Sequence, residues 1–326
     1  MRKKILFICQ TLVTIGLVVW IFSNPEVREN TLTVLQNADL RWVAAAIAVA
    51  GVETFLGAIR WRVFLEVLGI HLPFWQTVRL FYLGLFFNTF LVGSVGGDAV
   101  KVLALIGQGR PHGAALLSVV LDRMSGLGAL VLVSCTFILW HYDWLTSSPM
   151  AAGLVHFVFI YMGCVVFLLS LTLIASGTGV TNRVPKWAPF RDKMLQLLEL
   201  YYLFVARWPQ TLLASGLSCL MMLGYFSVFY CSMQAYGVKM DLSQVFALMP
   251  AVDVISAMPI SLGGVGVREK LFVILLGDLA GVAEVTAVWI SLTGFLTTLF
   301  WGLLGLLALP FYRGLVEQGR ESQLKK

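Results

Sequence analysis

Ser94-Val95-Gly96-Gly97-Asp98-Ala99-Val100-Lys101 and Ser261-Leu262-Gly263-Gly264-Val265-Gly266-Val267-Arg268 stand 167 residues apart, about half the length of the chain. Four of the eight positions are identical and three more are conservative. Each stretch interrupts an otherwise apolar segment, the first at 74–107 and the second at 242–276. The arms on either side of the break are too short to span a bilayer comfortably. Two such arms around a Gly-rich tip read as a re-entrant hairpin that enters and leaves on one side. Non-helical backbone at membrane depth is tolerated where protein or a wet cavity satisfies its N–H and C=O groups.

Around the hairpins lie apolar runs at 5–23, 40–59, 113–140, 150–174, 211–236 and 285–309. A helix of about 20 residues crosses a hydrocarbon core of ~30 Å, so each run is a candidate span. The order is two spans, a hairpin and one span, and it occurs twice. Residues 1–145 therefore form a first repeat and 146–326 a second. Three crossings per half turn the second half upside down. The expected fold is an all-α polytopic membrane protein of two inverted repeats, each with three transmembrane spans and one Gly-broken re-entrant helical hairpin. Discontinuous helices meeting near the midplane are the pattern of many secondary transporters. In the hydrophilic connector at about 176–207, Met194, Leu197, Leu198, Tyr201 and Val205 share one helical face, which predicts an amphipathic segment on the membrane surface.

Composition agrees with a bilayer as solvent. The chain is 59% hydrophobic and 12% charged, with a mean hydropathy of +0.87; soluble domains are roughly half apolar and a quarter charged. The sequence pI of about 9.1 does not signal nucleic acid, because the basic residues sit at the ends of apolar runs and form no solvated stripe. Arg2, Lys3 and Lys4, Arg60 and Arg62, Arg110, and the cluster from Arg183 to Lys193 gather on one side, against Arg28, Arg41 and Lys239 on the other. That bias predicts a multi-pass cell-membrane protein with both termini cytoplasmic. Ser23-Asn24-Pro25-Glu26 is not a small-x-small cleavage site, so the first run reads as a retained helix. The five cysteines fall inside apolar runs without a CxxC pair, and no metal or other cofactor is implied. Trp42, Trp61, Trp75, Trp140 and Trp208 are expected at lipid-facing or interfacial positions.

Ionisable side chains at membrane depth cost at least ~2.5–3.5 kcal/mol each and mark function by default. Asp98 and Lys101 follow the first Gly turn, Asp122 and Arg123 lie inside a span, Asp253 sits in the first arm of the second hairpin, and Arg268, Glu269 and Lys270 follow the second Gly turn. Their structural alternative is mutual pairing as internal struts, Asp122 with a hairpin cation for example. A half-helix beginning after Gly97 or Gly264 points free N–H groups and its positive dipole end into the membrane. With Lys101 and Arg268 about one turn in, the arrangement favours an anion, in a bilayer a lipid phosphate. The candidate binding set is Asn88, Ser94, Gly96, Gly97, Asp98, Lys101, Asp122, Arg123, Asp253, Ser261, Gly263, Gly264, Arg268 and Glu269.

Arg60-Trp61, Asn88-x-Phe90-Leu91-x-Gly93-x-x-Gly96-Gly97-Asp98-Ala99-x-Lys101, Asp122-Arg123 and Ser261-x-Gly263-Gly264-x-Gly266-x-Arg268-Glu269 resemble the lysylphosphatidylglycerol synthase transmembrane, flippase-like family. The resemblance covers nearly the whole chain. It implies a module that moves aminoacylated phospholipid between leaflets, with relatives tied to hopanoid or isoprenoid-linked glycan pathways. Val92 stands where that family often has Pro, and Lys101 where Arg is usual, which loses bidentate phosphate geometry. The sequence ends at Lys326, so the resemblance implies the flippase-like half without the aminoacyltransferase domain. The expected function is transfer of an anionic or modified phospholipid, or an isoprenoid-linked lipid, without an ATPase of its own. The alternatives are an intramembrane lipid-modifying enzyme and a non-transporting partner of a lipid synthase. A lipid-synthesis enzyme and a second copy of the chain are the protein partners to test.

In a cysteine-free background, Thr31→Cys, Trp144→Cys and Val238→Cys are expected to react with an impermeant reagent applied outside intact cells. Gly179→Cys and Gln323→Cys are expected to stay protected. Labelling of the Gly179 variant from outside would contradict the inverted arrangement.

Overall fold

The computed structural model describes residues 13–17, 19–20, 23, 25–90, 96–177, 206–258 and 260–310. The first hairpin's tip at 91–95, Pro259, and most of the first span and of the amphipathic connector lie outside these residues. The described elements are α1 (Pro25–Gln36), α2 (Leu40–Val67), α3 (Phe74–Phe90), α4 (Gly96–Gly107), α5 (His112–Trp140), a single turn at Tyr142–Leu145, α6 (Pro149–Gly177), α7 (Trp208–Ala235), α8 (Leu242–Ser256), a 3-10 turn at Leu262–Gly264, α9 (Val267–Ala280) and α10 (Glu284–Leu304), which runs on as a 3-10 turn to Ala308. Every described element is helical. Five helices, at 40–67, 112–140, 149–168, 208–235 and 284–308, are long and apolar enough to cross a membrane.

Local chemistry sets the helix ends. Asp39, in extended backbone, caps α2 by accepting the N–H of Arg41 (2.9 Å). Before α8 the Asp241 N–H donates to Gln244 Oε1 (3.0 Å), half of a capping box. Helix α9 stops at Gly281 in the left-handed region (φ 62°). The surface is the reverse of a soluble protein's: Ile160, Phe167, Leu132, Leu139, Leu296 and Leu307 point outward, while polar side chains such as Arg60, Lys101, Asp122 and Glu269 are buried.

Helices α2 and α7 form the central pair. Each has 28 residues, about 42 Å at 1.5 Å per residue. They run antiparallel along their whole length. Asp39 N–H donates to the Ala235 carbonyl (2.8 Å), Trp42 meets Tyr230 edge-to-face (6.0 Å), Glu53 lies on Gly224, and Arg60 bonds Ser218. Around this pair, the first hairpin's α3 and α4 pack side by side, as do the second's α8 and α9. The cross-contacts are reciprocal. Helix α3 lies on α10 and α8 lies on α5, so each hairpin touches the last span of the other half.

The two hairpins open at opposite ends of α5. At its His112 end, Gln76 bonds Gln108 (3.0 Å) and Arg110 donates to the His71 carbonyl (3.1 Å), closing the mouth of the first. At its other end, His141 meets Ser243 (3.0 Å), and Ser148 donates to Asp278 (2.5 Å) at the mouth of the second. With 17 and 12 residues, α3 and α4 are about 25 Å and 18 Å long, and α8 and α9 are similar, all short of the ~30 Å core.

Two expectations are corrected. The second span does not stop at Arg60-Trp61-Arg62; α2 continues to Val67, so Arg60 is an interior residue and not an interfacial anchor. Trp61 is fully buried instead of facing lipid. Its indole N–H reaches Ser118 (3.4 Å) and its ring lies under the Lys101 ammonium (5.1 Å). Partners on α4 and α5 offset the cost of drawing these groups inward. Trp75, Trp140 and Trp208 are exposed as expected.

Glycine lets α10 run close against α3. A Cβ on Gly305 would land on the Tyr82 carbonyl of α3, backbone that cannot swing aside, whereas one on Gly216 would meet nothing within 4 Å. Gly305→Ala is expected to lower the melting temperature in detergent, overpacking typically costing about 1–3 kcal/mol. Gly216→Ala should be neutral or stabilising by up to ~1 kcal/mol. Equal behaviour of the two variants would contradict the α3–α10 contact.

Candidate functional site

The first cluster is built where α4 packs on α3. A Cβ on Gly97 would overlap the Gly84 carbonyl, so these two glycines let the hairpin arms touch. Asn88, near the end of α3, accepts the Gly97 N–H (2.8 Å) and satisfies one donor of the α4 N-terminus. The stem of Lys101 runs over Gly84, and its ammonium sits above the Phe81 ring (4.2 Å). Its charge meets Asp122 Oδ2 at 3.7 Å. The other oxygen of Asp122 accepts from Arg60 Nε at 2.9 Å. Arg60 Nη1 also donates to Ser218 Oγ (3.1 Å), which pairs with Ser125 Oγ (2.6 Å). One turn away, Arg123 Nε meets Asp98 Oδ2 at 2.8 Å, with the Arg123 side chain 50% exposed.

The charges in this cluster do not balance. Among the described residues, with every group ionised, Arg60, Lys101 and Arg123 face Asp98 and Asp122, so three cations share two carboxylates. Asp122 serves two of them, one on each oxygen. A buried excess charge is costly unless something of opposite sign answers it.

The second cluster surrounds the start of α9. Gly263, Gly264 and Gly266 take φ of 60°, 76° and 85°, the left-handed region that a side chain would strain. Arg268 Nη2 meets Glu269 Oε1 at 3.0 Å, and Ser291 of α10 binds both, accepting from Arg268 Nε (3.1 Å) and donating to Glu269 Oε1 (2.8 Å). The other Glu269 oxygen accepts the Gly266 N–H. Arg268 also stacks over Phe295 at 4.5 Å. Asp253 lies in the neighbourhood of the Tyr225 hydroxyl and the Arg268 guanidinium. The hydroxyls of Ser256 and Ser261 are buried with no hydrogen-bond partner among the described residues. Lys270 lies apart, its ammonium 4.1 Å above the Trp20 ring.

The expected site is therefore assembled in two places. Asn88, Gly96, Gly97, Asp98, Lys101, Asp122 and Arg123 come together around α4. Asp253, Ser261, Gly263, Gly264, Arg268 and Glu269 come together around α9. Ser94 lies outside the described residues. The pairing of Asp122 with a hairpin cation is observed. At each helix start one N–H is already claimed, that of Gly97 by Asn88 and that of Gly266 by Glu269, and α9 begins at Val267 and not directly after Gly264. Arg268 is neutralised by its neighbour, so an anion is favoured at the first cluster and not equally at both.

The structure adds residues that the sequence reading passed over. Arg60, Ser218, Tyr225 and Ser291 join the clusters through tertiary contacts. Glu53 lies in the seam between α2 and α7, its stem against Gly224. It had a visible signal, since a lone carboxylate inside the 40–59 run meets the same criterion as Asp122.

The profile of a family described as the lysylphosphatidylglycerol synthase TM region matches residues 7–306. The chain is also similar to a UPF0104 membrane protein of Pyrococcus horikoshii, with 27% identity over 99 residues. That match covers 29% of this chain and 30% of the relative, so the chain spans under a third of the curated protein it matches.

Asp122→Asn strands Arg60 and Lys101 together and is expected to cost about 3–5 kcal/mol of stability. It should appear as a large drop in melting temperature. Glu66→Gln, in the exposed pair with Arg62 (2.8 Å), should change stability by under ~1 kcal/mol. Similar shifts in both variants would contradict the buried tie.

Proposed function

We propose, because the chain belongs to the lysylphosphatidylglycerol synthase TM-region family, that it translocates a lipid with a phosphate-bearing head group between the leaflets of the cell membrane. The observation that carries this reading is the sharing of Asp122 by Arg60 and Lys101. It leaves one net positive charge buried beside a half-exposed Arg123. A phosphodiester monoanion supplies the missing negative charge. Only the head group needs a polar path; the acyl chains stay in the hydrocarbon.

The translocation path follows from an inverted-repeat arrangement, which three observations support. Leu40 and Trp208 begin equal helices, and Val67 and Ala235 end them, each pair 168 residues apart. Under that offset Thr54 corresponds to Met222, beside the antiparallel crossing of Glu53 and Gly224. A two-fold axis through the crossing produces such self-correspondence. The reciprocal α3–α10 and α8–α5 contacts are related by the same operation. Residues 1–145 and 146–326 are the two repeats, and rocking one against the other alternates access. The Lys and Arg bias places both termini in the cytoplasm, so the first cluster lies in the cytoplasmic half and the second in the outer half.

Purified protein in phosphatidylcholine vesicles with a trace of fluorescent phosphatidylglycerol tests this reading. The wild type is expected to equilibrate the label between leaflets. Lys101→Gln and Arg123→Gln should each slow it by about tenfold or more, a hydrogen bond to a charged group being worth about 1.5–3 kcal/mol. Arg268→Gln strands Glu269 and should chiefly lower the melting temperature. Rates that fall only in step with melting temperature, or wild-type rates in both first-cluster variants, would contradict the proposal.

A further inference from the structure

Glu53 is unused by either cluster. It stands at the middle of the 28-residue α2, at the crossing with α7, where Gly224 makes room for its stem. It forms no hydrogen bond or salt bridge among the described residues, which sets it apart from Asp98, Asp122 and Glu269. Its electrostatic neighbours are Arg60 on its own helix, Tyr82 on α3 and Tyr225 on α7. Behind Tyr225 lie Asp253 on α8 and Arg268 on α9. Helix α5 faces Arg60 with Asp122. Helix α10 brings Trp301 against Gly51, and its only charged residue, Glu284, is at its far start.

Arg60 follows Glu53 by seven residues, so both lie on nearly one face of α2, about 10.5 Å apart along the axis. Arg60 is the charged group that acts on Glu53. The charge state of Glu53 therefore acts on the first cluster. An ionised Glu53 answers the excess cation, making three carboxylates against Arg60, Lys101 and Arg123. A protonated Glu53 leaves the excess exposed to an incoming anion. Proton and anion then favour each other's binding, and by linkage the coupling is reciprocal.

We propose that Glu53 is the proton site of an electroneutral symport, in which one proton and one phosphodiester-anion head group cross together. The inference rests on the translocation reading above. On loading, a proton from water adds to the Glu53 carboxylate and the lipid phosphate takes the place of the lost negative charge at Arg60, Lys101 and Arg123. On release both leave on the opposite side and the carboxylate re-forms. The crossing point suits the task, because a residue on the axis between two rocking halves is approached from either side.

The same vesicles, with fluorescent phosphatidylglycerol loaded in the outer leaflet and a pH gradient of about one unit, test the assignment. One-to-one symport shifts the final leaflet ratio about tenfold per pH unit, toward the alkaline side. The wild type and Glu53→Asp are expected to follow the gradient, and a pH dye inside should report proton entry with the lipid. Glu53→Gln removes no observed bond and should bring the ratio to about one whatever the gradient. A Gln variant that follows the gradient, or that stays frozen at the loading asymmetry, overturns the assignment. A wild type that equilibrates lipid but ignores the gradient overturns the symport and leaves translocation standing. A wild type that moves no lipid at any pH overturns translocation and the symport with it.

Discussion

One carboxylate holds the first half together. Asp122 on α5 accepts Arg60 of α2 on one oxygen and faces Lys101 of α4 with the other, and Arg60 extends the tie to Ser218 on α7. Four helices distant in sequence thus converge on one buried acid. In hydrocarbon the alternative for each of these groups is an unpaired charge, so the cost of separation enforces the geometry. The same sharing makes the cluster incomplete, since one carboxylate cannot neutralise two cations. Stability and ligand demand arise from a single imbalance.

The second half solves the problem differently. Glu269 follows Arg268 directly in sequence, accepts from it, and also ties down the Gly266 N–H. Cation and helix terminus are both satisfied locally, and Asp253 and Tyr225 add negative and hydroxyl character instead of positive charge. Two hairpins that look alike in sequence therefore differ in charge. That asymmetry suits a carrier whose substrate must bind on one side and leave on the other.

The helical architecture was legible because its signals are local: apolar run length, Gly-rich breaks and capping residues all sit within a few positions of the feature they specify. The pairing of Asp122 with a hairpin cation was also foreseeable, since an intramembrane acid must find a base. Arg60 and Trp61 were misplaced because at a run's end both look like interfacial anchors. Only their contacts with Asp122 and Ser118, about 60 residues away, draw them inside. Ser218, Tyr225 and Ser291 carry no mark, hydroxyl side chains being common in membrane helices. The Gly motifs point to free N–H groups, and Asn88 and Glu269 each claim one of them. Glu53 declares itself by its position in an apolar run, although it stands far from the Gly breaks that mark the hairpins.

On the proposed translocation reading, a lipid phosphate completes the charge of the first cluster. Solid-state NMR on 15Nζ-lysine protein in phosphatidylglycerol-containing bilayers measures this directly. The buried Lys101 signal, assigned by its loss in Lys101→Gln, is expected to be dephased by lipid 31P, as a charge-assisted N–H···O contact of about 2.8 Å requires. A Lys101 signal untouched by 31P, in protein that still moves lipid, would contradict it.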